Sequence, residues 1–159
     1  MKLLRSLMLC LLLSGSFVSH SRDVDAKGKD FAGVWKGFLN VTMNGQPAKL
    51  PFDMKIEKGD YNQYGGHCVL YIRMTVSEEV YINCKISGSV SGEIFTFTDK
   101  KVIDYTLPRN ADFYWCTKTG TLHFEQTSKG EDMLVGPVSG YSPNGNCMPA
   151  TAELYREKK

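Results

Sequence analysis

Apolar and polar residues alternate along most of the chain from Phe31 onward. A period of two is typical of β-strands that bury one face. Residues 44–47 (Asn-Gly-Gln-Pro) carry turn chemistry, and residues 52–57 then alternate apolar with charged side chains. The two segments are predicted to form a β-hairpin. The face of the first segment that we expect to be buried consists of Trp35, Gly37, Leu39, Val41 and Met43.

The same alternation recurs down the chain, and no segment combines a helical period with helix caps. Residues 70–76 and 80–86 predict a second hairpin with a turn near 77–79. The glycine-rich residues 59–66 are expected to be a link, and residues 87–92 a turn. Further strand-like segments are residues 93–98 with a continuation at 101–105, residues 113–126, residues 133–138, and a last segment in which Ala152, Leu154 and Arg156 share one face.

About eight short strands joined by short polar turns predict an all-β fold. An antiparallel meander must close into a barrel or fold into a sandwich to hide its edges. Because neighbouring hairpins dominate, we predict an eight-stranded antiparallel up-and-down barrel, with a β-sandwich as the second choice. The single β domain is expected to span residues 31–159, after a flexible leader at residues 22–30.

The N-terminus has the three regions of a secretory signal peptide. Lys2 and Arg5 precede the apolar residues 7–13, and small residues follow at 14–21. The apolar run is too short to span a bilayer. We expect cleavage after Ser16 or Ser21 and a secreted or periplasmic protein that has lost its signal peptide.

Charge and cysteine content change when the signal is removed. The full chain has 19 Lys+Arg and 17 Asp+Glu, so losing Lys2 and Arg5 leaves a neutral protein. No basic stripe remains of the kind that nucleic acid or an anionic membrane would require. No partner nucleic acid and no membrane span are therefore predicted.

Five cysteines are present, and the exported chain keeps four of them because Cys10 lies in the signal. An even number in an oxidising compartment indicates two disulfides, and four cysteines allow three pairings. We favour Cys116 with Cys147 and Cys68 with Cys84. Zinc would need close cysteine pairs on tight turns, which the spacing does not provide, so no metal is predicted.

The start of the first strand, Phe31-Ala32-Gly33-Val34-Trp35-Lys36-Gly37, resembles the G-x-W opening of the calycin barrels, which include lipocalins, fatty-acid-binding proteins and avidins. In those families a basic residue of the final strand packs across the tryptophan. The resemblance therefore implies a contact between Trp35 and Arg156.

A second set of residues resembles secreted proteins of Bacteroidota that open with a W-x-G strand and close with W-C-x-K-x-G-x-L and C-x-P motifs. This resemblance covers most of the domain but implies no activity. The residues that carry it are Trp35, Gly37, Trp115, Cys116, Lys118, Gly120, Leu122, Gly140, Tyr141, Cys147, Pro149, Leu154 and Arg156.

Candidate catalytic groups are sparse. Beyond the signal only His67 and His123 remain, and nucleophilic catalysis by Ser or Cys needs a base held by a third group. Carboxylates fall mostly in outward strand positions or turns, and no pair stands out for glycoside hydrolysis. The glycine turns lack a phosphate-binding fingerprint. We predict no enzyme, no catalytic residue and no cofactor.

Aromatic residues in or beside loops are the better functional hint, because rigid rings can stack on a ligand or anchor a partner. Tyr64, Trp115 and Tyr141 are the predicted ligand-binding residues. The alternative is that Trp115 only packs over a neighbouring disulfide and that the tyrosines are ordinary surface residues.

These features predict a monomeric, non-enzymatic binding protein whose barrel takes a small apolar ligand at its mouth or interior. The alternative is a loop-mediated binder of an extracellular protein or glycan: an inhibitor of a protease or lysozyme, or a glycan-binding module.

Overall fold

The computed structural model describes residues 29–73, 78–108 and 114–158. The predicted signal peptide, residues 1–21, and the leader up to residue 28 lie outside the described residues. Within the described part every regular element is a β-strand. No helix there is long and apolar enough to cross a bilayer. The strands are β1 (Gly33–Met43), β2 (Gln46–Lys58), β3 (Gln63–Arg73), β4 (Glu79–Ser91), β5 (Ile94–Tyr105), β6 (Thr117–Gln126), β7 (Asp132–Ser142), β8 (Gly145–Asn146) and β9 (Ala150–Arg156).

Eight of these strands close into one antiparallel barrel. Each strand from β1 to β7 pairs with the next, and β9 lies between β7 and β1. The two-residue β8 pairs only with the end of β7. The predicted eight-stranded antiparallel up-and-down barrel is confirmed, and closure leaves no open sheet for a sandwich to cover.

Two glycine-containing segments, predicted to be a link and a turn, are largely strand in the structure. β3 begins at Gln63, inside the expected link, and β4 continues to Ser91, through most of the expected turn. A Cβ on Gly66, whose φ is 128°, would lie 1.9 Å from the Lys55 carbonyl oxygen, and one on Gly88 would lie 2.6 Å from the Phe95 ring. These glycines allow close packing inside the sheet, which composition alone does not distinguish from a turn.

Aromatic side chains fill one end of the barrel, called here the closed end. Phe31, from the segment before β1, stacks on Phe95 with 5.9 Å between ring centroids. It also meets the rings of Tyr64 and Phe124 edge to face. The Trp35 indole N–H donates to the Phe31 carbonyl oxygen at 2.9 Å. Both Phe31 and Trp35 are fully buried, so the first residues of the domain plug this end.

Arg156 covers the Trp35 ring at the same end of the barrel. Its guanidinium carbon lies 4.4 Å from the centroid of the Trp35 ring, which confirms the predicted contact. The guanidinium also donates to the carbonyl oxygens of Asp30 and Ala32, the latter at 2.8 Å, and pairs with Asp132 at 3.0 Å. The contact arises because Trp35 and Arg156 are register partners of β1 and β9.

Candidate functional site

A cavity of 280 Å³ opens at the other end of the barrel, called here the mouth. Its deepest side chains are the buried Leu39 and Val41 of β1, Leu70 of β3 and Val138 of β7. They point inward because each occupies the buried phase of its alternating strand. The aromatic residues of the closed end do not extend this far, so the barrel is filled at one end and hollow at the other.

The rim of the cavity is apolar and partly exposed. Met43 at the end of β1, Tyr114 before β6 and Met148 before β9 line it and reach solvent. Trp115 is half-buried between this cavity and a neighbouring crevice of 180 Å³. Its indole N–H donates to the Thr106 carbonyl oxygen at 3.3 Å, which fixes the ring at the rim.

A disulfide joins Cys116 and Cys147 beside Trp115, as predicted. The two Cα atoms are 6.3 Å apart, and the cysteines are 31 positions apart in sequence. Closing a loop of that length contributes on the order of 3 kcal/mol in the chain-entropy model. Both cysteines line the cavity, so the disulfide holds the rim segments together. The disulfide is compatible with an oxidising extracellular compartment.

A buried ion pair lies below the cavity. The Lys118 ammonium of β6 is 2.7 Å from the Asp99 carboxylate of β5, and both side chains are less than 5% exposed, at 4% and 3%. The Asp99 carboxylate also accepts the Lys118 backbone N–H at 2.8 Å. The ladder between β5 and β6 ends one residue earlier, at Thr98 and Thr119. Asp99 thus replaces the next backbone acceptor of the sheet and neutralises Lys118 at the same time.

The predicted disulfide between Cys68 and Cys84 is wrong, because the structure leaves both as free, buried thiols. They are register partners on β3 and β4, so the expected proximity is present. The Cys68 thiol instead donates to Asp99 Oδ1 at 3.3 Å. The carboxylate that neutralises Lys118 therefore also holds the Cys68 thiol as a hydrogen-bond donor.

Burial governs the protonation of this cluster. It raises the pKa of the Cys68 thiol well above its usual value and that of Cys84 to about 11. Burial alone would lower the pKa of Lys118, but the neighbouring Cys68 and Asp99 raise it by more, so the net shift is upward. The thiols stay protonated and Lys118 stays charged at neutral pH, so neither thiol is a ready nucleophile.

The structure does not bring the three predicted ligand-binding residues together. Trp115 lines the cavity. Tyr64 is buried at the closed end, where its ring meets Phe31 and Phe95 edge to face. Tyr141, on β7 near the mouth, is exposed and faces away from the cavity lining. Of the three, only Trp115 is placed to touch a molecule in the cavity.

Sequence reasoning missed the buried pair, although the alternation contained it. Asp99 continues the inward phase of Phe95 and Phe97, and Lys118 precedes Gly120 and Leu122 in the inward phase of β6. An acid and a base that both fall in buried phases of neighbouring strands indicate an internal ion pair.

A larger groove of 870 Å³ lies at the closed end, but its charges are satisfied within the protein. Most of its acidic side chains are held by a basic partner, which leaves little charge to attract a ligand. The pairs are Lys36 with Glu157 at 2.8 Å, Lys55 with Glu57 at 2.7 Å, Arg156 with Asp132 at 3.0 Å and Lys158 with Glu131 at 3.3 Å.

The mouth is therefore the candidate site. It is an apolar cavity with an aromatic residue at its rim, a disulfide that links the rim segments, and a buried ion pair below it. Comparison of the chain with protein-family models, with curated proteins and with solved structures finds no match.

Proposed function

We propose that this protein is a secreted or periplasmic, non-enzymatic binding protein that takes one small, mostly apolar molecule into the cavity at the mouth of its barrel. The observation that carries the proposal is the cavity itself, since a barrel of eight strands can also be filled completely by its own side chains. Its walls are mainly aliphatic, and Trp115 offers a flat ring at the rim. Such a lining favours a ligand with little polar surface.

The polar groups next to the cavity support an apolar ligand rather than a charged one. Lys118 lines the cavity, but its Nζ atom is buried and paired with Asp99. A second anion near Lys118 would be repelled by Asp99 and would lose its hydration. The volume of the cavity also suits a small apolar ligand. An apolar cavity of about 150 Å³ binds benzene, and this cavity is about twice as large. A ligand of about ten to twelve non-hydrogen atoms fits that space.

The protonation states of the buried groups near the cavity support binding rather than catalysis. General acid or base catalysis needs a group that can exchange a proton near neutral pH within reach of the substrate. Lys118 is held charged by its neighbours, and the Cys68 and Cys84 thiols are held protonated. The groups that lie closest to the cavity floor are therefore poorly suited to move protons.

Titration with butylbenzene, an uncharged molecule of suitable size, tests the proposal. The chain has two tryptophans, Trp35 at the closed end and Trp115 at the mouth, so their indole N–H signals in an NMR spectrum report on the two ends separately. We expect the Trp115 signal to shift and saturate while the Trp35 signal stays in place.

A blocked cavity provides the control. Ala150 lines the cavity, and Thr151 follows it on β9 with its side chain exposed. Ala150→Trp should abolish saturable binding, and Thr151→Trp should retain it. No saturation of the wild-type Trp115 signal up to the solubility limit of butylbenzene, or equal shifts of both indoles, would overturn the proposal even if the blocked variant failed to fold.

The second candidate function is loop-mediated binding of an extracellular protein or glycan. The exposed rings of Tyr114 and Tyr141 near the mouth favour it, because such rings stack on sugars or anchor a protein partner. Ala150→Trp separates the two functions, since it fills the cavity and leaves Tyr141, which does not line the cavity, in place. Glycan or protein binding should survive that substitution, whereas binding of a small apolar ligand should not.

A further inference from the structure

Exposed apolar side chains are concentrated at one end of the barrel. Among the described residues, only Phe38 and Tyr61 of the large exposed hydrophobics lie away from the mouth. Single exposed hydrophobics are ordinary on a protein surface, but a group of them around one opening marks an interaction surface. The members of this group, called here the mouth patch, are Met43, Val102, Ile103, Tyr105, Leu107, Tyr114, Tyr141 and Met148.

Half of the mouth patch comes from β5 and the residues that follow it. The ladder between β5 and β6 ends at Thr98, but β5 continues to Tyr105 along β4 alone. The register against β4 shifts twice in this stretch, which leaves Ile103 without an opposing residue and turned outward. Its side chain is 55% exposed. The shifts also make the edge irregular, so it is a poor template for an added strand.

Lysines without a counter-ion accompany the patch. Lys85 on β4 lies directly opposite Lys101 on β5, and Lys100 lies beside them. All three are exposed, and in the described part of the chain none of them forms an ion pair. Like charges directly opposite each other destabilise a sheet, so an external anion would relieve this pair. At the closed end, by contrast, Lys36, Lys55 and Lys158 are each paired with a carboxylate.

We propose that the mouth of the barrel docks on the surface of a phospholipid bilayer. Apolar side chains flanked by tyrosine and lysine are the combination that inserts at the level of lipid headgroups, where rings sit at the interface and ammonium groups meet phosphates. A bilayer accepts the irregular outline of this patch, whereas a protein partner would have to match it. The neutral net charge expected once the signal peptide is removed does not reveal this surface, because its three lysines are clustered in one place.

Docking gives the cavity a source for its contents. A molecule with little polar surface partitions into membranes, and three residues of the mouth patch, Met43, Tyr114 and Met148, line the cavity. This source for the contents of the cavity rests on the proposed function. The docking itself rests only on the surface and is tested without any cavity ligand, so either idea can fail alone.

Sedimentation with vesicles tests the docking. We expect the protein to pellet with vesicles of phosphatidylcholine containing phosphatidylglycerol, and more weakly with phosphatidylcholine alone. Replacing Ile103 and Leu107 together by Ser should weaken partitioning about tenfold or more on both. Replacing Lys100 and Lys101 by Ser should cost about fivefold for each lysine on the anionic vesicles and little on the others.

Two exposed aromatic residues away from the mouth are matched controls. Phe38→Ser and Tyr61→Ser each remove an exposed ring from another part of the surface and should leave partitioning unchanged. A second measurement needs no substitution: lipids brominated on the acyl chain should quench Trp115 fluorescence and spare Trp35.

Failure of the wild-type protein to pellet with either vesicle would overturn the proposal and leave the mouth patch as a surface for a protein. Equal losses from Phe38→Ser and from the Ile103 and Leu107 double variant would also overturn it, as would equal quenching of Trp35 and Trp115.

Discussion

The closed end and the mouth of this barrel are built from the same strands but are stabilised differently. At the closed end, Phe31 and Trp35 are fully buried, and Arg156 covers the indole. At the mouth, Met43 and Met148 are partly exposed around an apolar cavity. The closed end thus contributes mainly to stability, while the mouth leaves apolar surface exposed.

Packing makes the closed end costly to change, and truncating its plug tests this directly. Phe31→Ala should lower the free energy of unfolding by about 3 to 5 kcal/mol, because it opens a cavity beneath the rings of Phe95 and Phe124. Met43→Ala at the mouth should change it by less than about 0.5 kcal/mol. Urea unfolding measures both, and equal losses would show that the two ends are packed alike.

The buried ion pair marks the boundary between the two ends. Asp99→Asn keeps the shape of the side chain but leaves the Lys118 charge buried without its partner, so we expect a loss of about 3 kcal/mol. Asp104→Asn, on the exposed part of β5, should cost no more than about 1 kcal/mol. A loss below that level for Asp99→Asn would mean that Lys118 is neutralised in some other way.

The contacts of Arg156 should contribute less to the free energy of unfolding than the packing of Phe31 does. Arg156→Ala removes the contact with Trp35 and the guanidinium hydrogen bonds to the chain before β1, so a loss of about 1 to 3 kcal/mol is expected. Arg156→Lys should recover only part of it, because an ammonium cannot stack as a plane. The neighbouring Lys158→Ala should have almost no effect. Thermal unfolding of the three variants gives this order or contradicts it.

A pH dependence of stability comes from the buried thiols. Burial raises the pKa of Cys84 from an ordinary 9.0 to about 11. Between those pH values the unfolded chain releases a proton that the folded chain keeps, so the free energy of unfolding should fall as pH rises from about 9 to 11. In Cys84→Ala this fall should be shallower, as measured by urea unfolding at several pH values. Identical slopes would show that the thiol is not shielded.

Thiol reactivity offers a control for the same region. Folded protein at pH 8 should resist alkylation at Cys68 and Cys84, and unfolded protein should react at both without prior reduction. Recovery of a peptide in which these two cysteines are joined would contradict the free thiols.

Alternation along the chain was enough to predict the barrel, the hairpins and the faces of the long strands. It placed Trp35 and Arg156 on inward or edge positions of the first and last strands, and closure then made them partners. It failed at Gly66 and Gly88, because a glycine required for close packing has the same sequence signature as one in a turn. It failed at Cys68 and Cys84, because it does not show that the Asp99 carboxylate accepts a hydrogen bond from the Cys68 thiol.

The sequence by itself determined which side of each strand faces inward, since that follows from a period of two along one segment. Only the tertiary structure decided how deep each inward residue lies along the barrel axis. Depth depends on strand registers and on residues far apart in sequence: Phe31 plugs one end from outside the strands, while Asp99 and Lys118 meet from neighbouring strands below the other. The hollow mouth and its patch follow from depth, which no local pattern encodes.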